Sequence, residues 1–74
     1  MRIKLIKSNM TELHLNDGTV ILFSYETPVA ARTDTGFVRT AEKFSVTTSK
    51  HITQWLDGRN ALTVPQRDIT ALTN

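Results

Sequence analysis

The chain predicts an α+β fold: a twisted antiparallel sheet of four to five strands, a meander able to curl towards a barrel, with one helix from the C-terminal half packed on it. Three observations carry this. Short stretches of alternating apolar and polar residues fill the first two-thirds, separated by turn formers. Ile52, Trp55 and Leu56 then recur at i, i+3, i+4, the spacing of one helical face. Threonine supplies 12 of 74 residues, and its branched side chain favours strands over helix.

In chain order, Arg2–Lys7 puts Ile3 and Leu5 on one face and Arg2, Lys4 and Ile6 on the other. Ser8-Asn9 reads as a turn. Thr11–Asn16 then points Leu13 and Leu15 inward, with Glu12 and His14 outward. Asp17-Gly18 is the strongest hairpin signal, because both residues tolerate the positive φ of a type I′ turn. Val20-Ile21-Leu22-Phe23 is a continuous apolar run, as expected of a central strand covered on both sides. Pro28 lacks a ladder donor and marks a strand start or an edge, and Val29–Thr33 follows as a fourth strand. Asp34-Thr35-Gly36 turns the chain into Phe37–Val46, a fifth strand long enough to bulge near Ala41-Glu42. Every connection is short, so neighbours in sequence are expected to pair antiparallel.

The helix follows, with Thr47, Thr48 or Ser49 as its N-cap and Gly58 where a left-handed residue would end it. Its apolar stripe of Ile52, Trp55 and Leu56 must lie on the sheet, and His51 is expected to cover the indole edge. Phe23, Phe44 and Trp55 read as core, Tyr25 and Phe37 as the aromatics that reach solvent. Beyond Gly58, Ala61, Leu62 and Val64 can form a strap, and Pro65 can open a last turn through Ile69 and Leu72. The expected organisation is one small α+β domain over 1–58 and a C-terminal strap or partly ordered tail over 59–74.

A core of this size rarely yields more than about 3–5 kcal/mol of net stability, so a homo-oligomer is a reasonable expectation. The absence of cysteine excludes disulfides and thiolate metal sites and suits a reducing cytoplasm. His14 and His51 lie far apart with no acids clustered beside them, so neither a metal nor another cofactor is expected. Lys4 and Lys7 interrupt the apolar start, and no stretch is long enough to cross a bilayer, so no membrane partner is expected. The net charge of +2 is unevenly spread. Arg2, Lys4 and Lys7, then Arg39, Lys43 and Lys50, flank an acidic middle, and they would form one stripe if the sheet pairs them.

Catalysis needs a nucleophile with a base, a metal, or paired carboxylates, and none is visible along the chain. Ser49 and His51 are two residues apart and point in different directions on a helix. The richest polar cluster is Thr47-Thr48-Ser49-Lys50-His51 at the helix start, where free amides and the dipole favour an anion. No acid stands in that first turn, and Arg39 and Lys43 on the preceding strand extend the positive surface. Arg39, Lys43, Thr48, Ser49 and Lys50 are therefore the expected contacts to a nucleic-acid backbone. Thr48 and Ser49 would equally serve as ordinary caps with Lys50 solvated. A different class of function, partner binding through a sheet edge, is open to Arg2–Lys7 or Val29–Thr33.

Phe23-Ser24-Tyr25-Glu26-Thr27-Pro28-Val29-Ala30 and Ser45-Val46-Thr47-Thr48-Ser49-Lys50-His51-Ile52, with Leu13–Asn16, Arg39-Thr40 and Trp55-Leu56, carry a resemblance. Across roughly residues 1–58 the chain resembles a family of small uncharacterised proteins of bacteriophages and bacterial mobile elements. The resemblance implies a setting rather than a chemistry: a non-enzymatic accessory protein of the bacterial cytoplasm that binds DNA, RNA or a host protein.

Overall fold

The turns decide the topology. The computed structural model of this chain describes residues 2–73; Met1 and Asn74, the outer ends of the two expected stretches, lie outside the described residues. Strands β1 (Arg2–Lys7), β2 (Met10–His14), β3 (Val20–Ser24), β4 (Thr27–Thr33) and β5 (Gly36–Thr40) form the expected antiparallel meander. Asn9 (φ 64°) and Tyr25 (φ 57°) take left-handed backbone at the β1–β2 and β3–β4 turns. The Tyr25 amide donates to the Asn9 carbonyl at 2.7 Å, which ties these two turns together at one end of the sheet.

At the opposite end the β2–β3 turn departs from type I′. That type needs positive φ at both central residues, whereas here Gly18 (φ 93°) has it and Asp17 does not. The Gly18 amide instead donates to the Leu15 carbonyl (3.1 Å), and Asp17 Oδ1 accepts from the Thr19 amide (3.0 Å). The bulges are also elsewhere than expected, one in β1 between Leu5 and Lys7 and one in β4. Phe23 pairs with Pro28 and Leu22 with Ala30, so Val29 is the extra residue of β4, next to the proline that cannot donate.

Two further elements complete the fold. After β5 ends at Thr40, residues 41–45 lead into α1 (Val46–Leu56), which is followed by β6 (Ala61–Val64) and α2 (Gln66–Ala71). Strand β6 pairs with β5 in parallel, so the sheet is mixed and six-stranded, in the order β1-β2-β3-β4-β5-β6. It is open, not barrel-like, with β1 and β6 as its edges. The strand count exceeds the expected four to five, and there are two helices rather than one. Four residues of β6 have no detectable strand pattern alone; β5 supplies the ladder that makes them one. The Val29–Thr33 edge expected from sequence is likewise corrected, because β4 is interior, paired to β3 and β5.

Register assigns the faces. The rows Lys4–Glu12–Leu22–Ala30–Arg39 and Arg2–His14–Val20–Arg32–Phe37 share one face. There α1 packs, burying Ile52 and Leu56 with Met10, Leu22, Val29 and Ala30. Glu12 and His14 therefore point towards the helix, not outward, and Leu13 faces the other side. That opposite row, Ile3–Leu13–Ile21–Ala31–Val38, contains the fully buried Ile21 and Ala31. Helix α2 lies against β4 and β5 and buries Ile69 completely, so it covers this half of the far face. Gln66 fastens its start by donating to the Pro28 carbonyl at 2.7 Å. Phe44, expected in the core, is 44% exposed because β5 stops before reaching it.

Each such fully buried aliphatic side chain contributes roughly 1.5–3 kcal/mol, so the second helix matters to a chain this short. Ile69→Ala should lower unfolding stability by about 2–4 kcal/mol in urea titrations. A loss within about 0.5 kcal/mol, the range of ordinary surface substitutions, would mean that α2 is not part of the cooperative core.

Candidate functional site

Both β5 and β6 run towards the end of the sheet where α1 begins. Their C-terminal ends, the connecting residues 41–45 and the first turn of α1 surround a cavity of about 480 Å³. Arg39, Lys43, Thr48 and Ser49 line it, together with Glu42 and Phe44. The connection is held by the Ala41 amide on the Val64 carbonyl (2.8 Å) and the Glu42 amide on Thr40 Oγ1 (3.0 Å). Ser45, not Thr47, Thr48 or Ser49, is the N-cap, and its hydroxyl accepts from the Thr48 amide at 3.2 Å. The first turn carries no acid, so the cap alone answers the positive end of the helix.

The five residues expected from sequence thus divide. Arg39, Lys43 and Ser49 line the cavity. Thr48 is buried, and its hydroxyl is taken up by Ser24 Oγ (3.1 Å) and Ser45 Oγ (3.3 Å). Lys50 is exposed on the side of α1 turned away from the sheet, about 160° from Ile52 around the helix, and does not line the cavity. Arg39 and the β1 cations do not form one paired stripe either. β1 and β5 are separated by three strands, and their cations flank α1 from two sides.

Beneath the same helix end lies a polar cluster that spacing could not reveal. Ser24 Oγ hydrogen-bonds His51 Nδ1 at 2.8 Å as well as Thr48, and all three residues are buried. The Tyr25 ring stands 6.1 Å from the imidazole, so His51 covers this turn and not the indole. Ser24 is only 1% exposed. Mutual satisfaction of buried polar groups is its evident role.

The second group sits under the C-terminal half of α1. Trp55 Nε1 donates to Glu12 Oε2 at 2.6 Å, and His14 Nε2 donates to Glu12 Oε1 at 2.9 Å. The indole meets Phe37 edge-on at 5.7 Å, and the Arg59 guanidinium lies 5.6 Å from the Phe37 ring centre. With Val20 and Arg32 these residues enclose about 340 Å³. Sequence reasoning missed the pairing because it turned Glu12 outward; the short period-2 run in β2 left both faces open. Among the described residues, no three His, Asp or Glu gather as a metal site, and no helix is long and apolar enough to cross a membrane.

Burial acts to raise the Glu12 carboxyl pKa, but the bonds from Trp55 and His14, aided by charge on His14 and Lys4, outweigh it. The net shift is downward from 4.5. A carboxylate with a depressed folded pKa stabilises the fold above its unfolded value, and that contribution disappears as pH falls through the folded one. Thermal stability should therefore decline below about pH 4.5, with Trp55 emission changing in parallel. In Glu12→Gln the acid-limb decline should be shallower; an identical limb in both proteins would place the titration elsewhere.

Residues 1–71 match a family of unknown function, DUF8033. Neither the curated proteins nor the solved structures contain a match to the chain. The matched span runs from β1 through α2, well past Gly58, so the edge strand β6 and the second helix are inside it. The chain belongs to the DUF8033 family.

Proposed function

We propose that this chain is a non-enzymatic accessory protein that binds the phosphate backbone of nucleic acid on the face carrying α1. The supporting observation is the partition of cations. Register puts Arg2, Lys4, Arg32 and Arg39 on the α1 side of the sheet, and Lys43 joins Arg39 at the cavity by the helix start. Lys7 lies on this side as well, in contact with Gln54 of α1. Glu12, the acid among these strand positions, is already engaged by Trp55 and His14. Such cations hold phosphates without reading bases, so affinity would be sequence-tolerant and salt-dependent. The resemblance to phage and mobile-element proteins supplies the setting, a bacterial cytoplasm. Ser49 is the donor at the helix start; Lys50 would act from the outer side of α1, and Thr48 only by holding the turn.

A second reading, a module that binds or inhibits a host protein through a sheet edge, is favoured by β1. All six of its residues are exposed and its outer ladder is unpaired.

Anisotropy of labelled single-stranded and duplex oligonucleotides between about 50 and 200 mM KCl separates the two. Arg39→Glu with Lys43→Glu should weaken binding at least tenfold and reduce the salt slope by about one per lost phosphate contact, with a nearly unchanged Tm. Unaltered affinity in that variant rejects the site. No binding at low salt, with a host protein retained after nuclease treatment, selects the second reading.

A further inference from the structure

Where α1 ends, two guanidiniums border the cavity beneath it, and neither is paired with a carboxylate among the described residues. The sheet supplies the floor: Val20 pairs with His14 on one side and Arg32 on the other, and Arg32 pairs with Phe37. Trp55 of α1 and Arg59, three residues beyond the helix, close it from above. The enclosed 340 Å³ falls at the lower end of the volumes that hold small ligands, about 300–1,000 Å³. Arg59 is already positioned. Asp57 (φ 51°) and Gly58 (φ 81°) turn it back on the helix end. There its amide and its Nη1 both donate to the Leu56 carbonyl, at 3.0 and 3.2 Å. That engages one of the several donors of the guanidinium, which also rests over the Phe37 ring. Arg32 is solvent-exposed at the side of the same floor.

We infer that this cavity binds a small organic anion, its phosphate or carboxylate group held by Arg32 and Arg59 and its flat apolar body laid against Trp55, Phe37 and Val20. Charge selects the head group. Glu12 is the acid of the cavity, and both its oxygens already accept bonds, from Trp55 and His14. Two guanidiniums therefore stand against one engaged carboxylate, which leaves positive charge unmatched. A planar guanidinium grips an oxyanion through two parallel hydrogen bonds, so phosphate and carboxylate both suit it. The walls select the body. Because Glu12 takes up the indole N–H, Trp55 offers the cavity carbon surface, as Phe37 and Val20 do. A bare inorganic ion would leave those walls in water, whereas a ring would cover them.

This site is separate from the backbone contacts at the start of α1. Arg39, Lys43 and Ser49 line the cavity there, and none of them lines the one beside Trp55. The small anion should therefore bind whether or not nucleic acid does.

The chain has a single tryptophan, so its indole N–H gives one NMR signal, and that signal reports on this cavity. Adenosine monophosphate carries a ring and a phosphate, benzoate a ring and a carboxylate. At least one should move the signal saturably, and the tighter of the two identifies the head group. Adenosine and inorganic phosphate, each with one of the two features, should bind roughly tenfold more weakly or worse. Arg32→Ala and Arg59→Ala should each weaken the tighter ligand by about tenfold or more, and Arg32→Ala should leave Tm unchanged. Arg39→Glu with Lys43→Glu should leave its affinity within about twofold. The absence of a saturable shift from either ring-bearing anion up to about 10 mM overturns the inference, since even a modest efficiency per atom would show by then. Inorganic phosphate binding as tightly as adenosine monophosphate overturns it too, as does unaltered affinity in Arg32→Ala. Loss of binding in the Arg39 and Lys43 variant also overturns it, by moving the anion to the helix start.

Discussion

The parallel pairing of β5 with β6 is the constraint from which the remaining arrangement follows. A strand leaving one end of a sheet can be rejoined in parallel only if the chain first travels back to the other end. Helix α1 makes that return. Its 11 residues rise about 16 Å, the length of a five-residue strand, so the helix spans the sheet end to end. This fixes which residues must be apolar: Ile52 and Leu56 meet Leu22 and Ala30, and Trp55 reaches β2 and β5. It also leaves the helix start beside the ends of β5 and β6, where Arg39 and Lys43 stand.

The same crossing explains the buried polar groups. The first turn of α1 comes down on the end of β3, where Ser24 faces the helix and is fully covered. An unpaired hydroxyl there would cost on the order of 1–3 kcal/mol, which Thr48 and His51 avoid by bonding to it. These bonds are directional in a way that apolar contacts are not. They hold α1 at one rotation and one height, and so set the distance between Ser49 and Arg39. Trp55 and Glu12 perform the corresponding task at the far half of the helix.

Charge and apolarity are then segregated by the pleat. Because alternate residues of β1 point to opposite faces, Arg2 and Lys4 join the α1 side, while Ile3 and Leu5 join the side that α2 covers only in part. The protein thus presents two unlike surfaces, one cationic and ridged by a helix, the other flat and apolar. A helix of six residues is too short to extend from β5 to β1, so Ile3 and Leu5 on that surface stay exposed.

Much of this was legible along the chain. Alternation located β1 and β2, a continuous apolar run β3, and Pro28 with the Asp34-Thr35-Gly36 turn β4 and the start of β5; the i, i+3, i+4 stripe located α1, and Pro65 marked the opening of α2. Local chemistry determines such features, since a turn residue or an apolar period acts over a few neighbours. Arg39, Lys43 and Ser49 were grouped for the same reason, lying close in sequence around one junction, and they line one cavity. What tertiary structure alone decided lies at long range. The strand identity of Ala61–Val64 comes from β5, and the inward turn of Glu12 comes from Trp55, 43 residues away. The loss of the Thr48 hydroxyl to Ser24 comes from a helix laid across β3. A sequence records which groups can bond, but pairing between distant segments is chosen by the packing that brings them together.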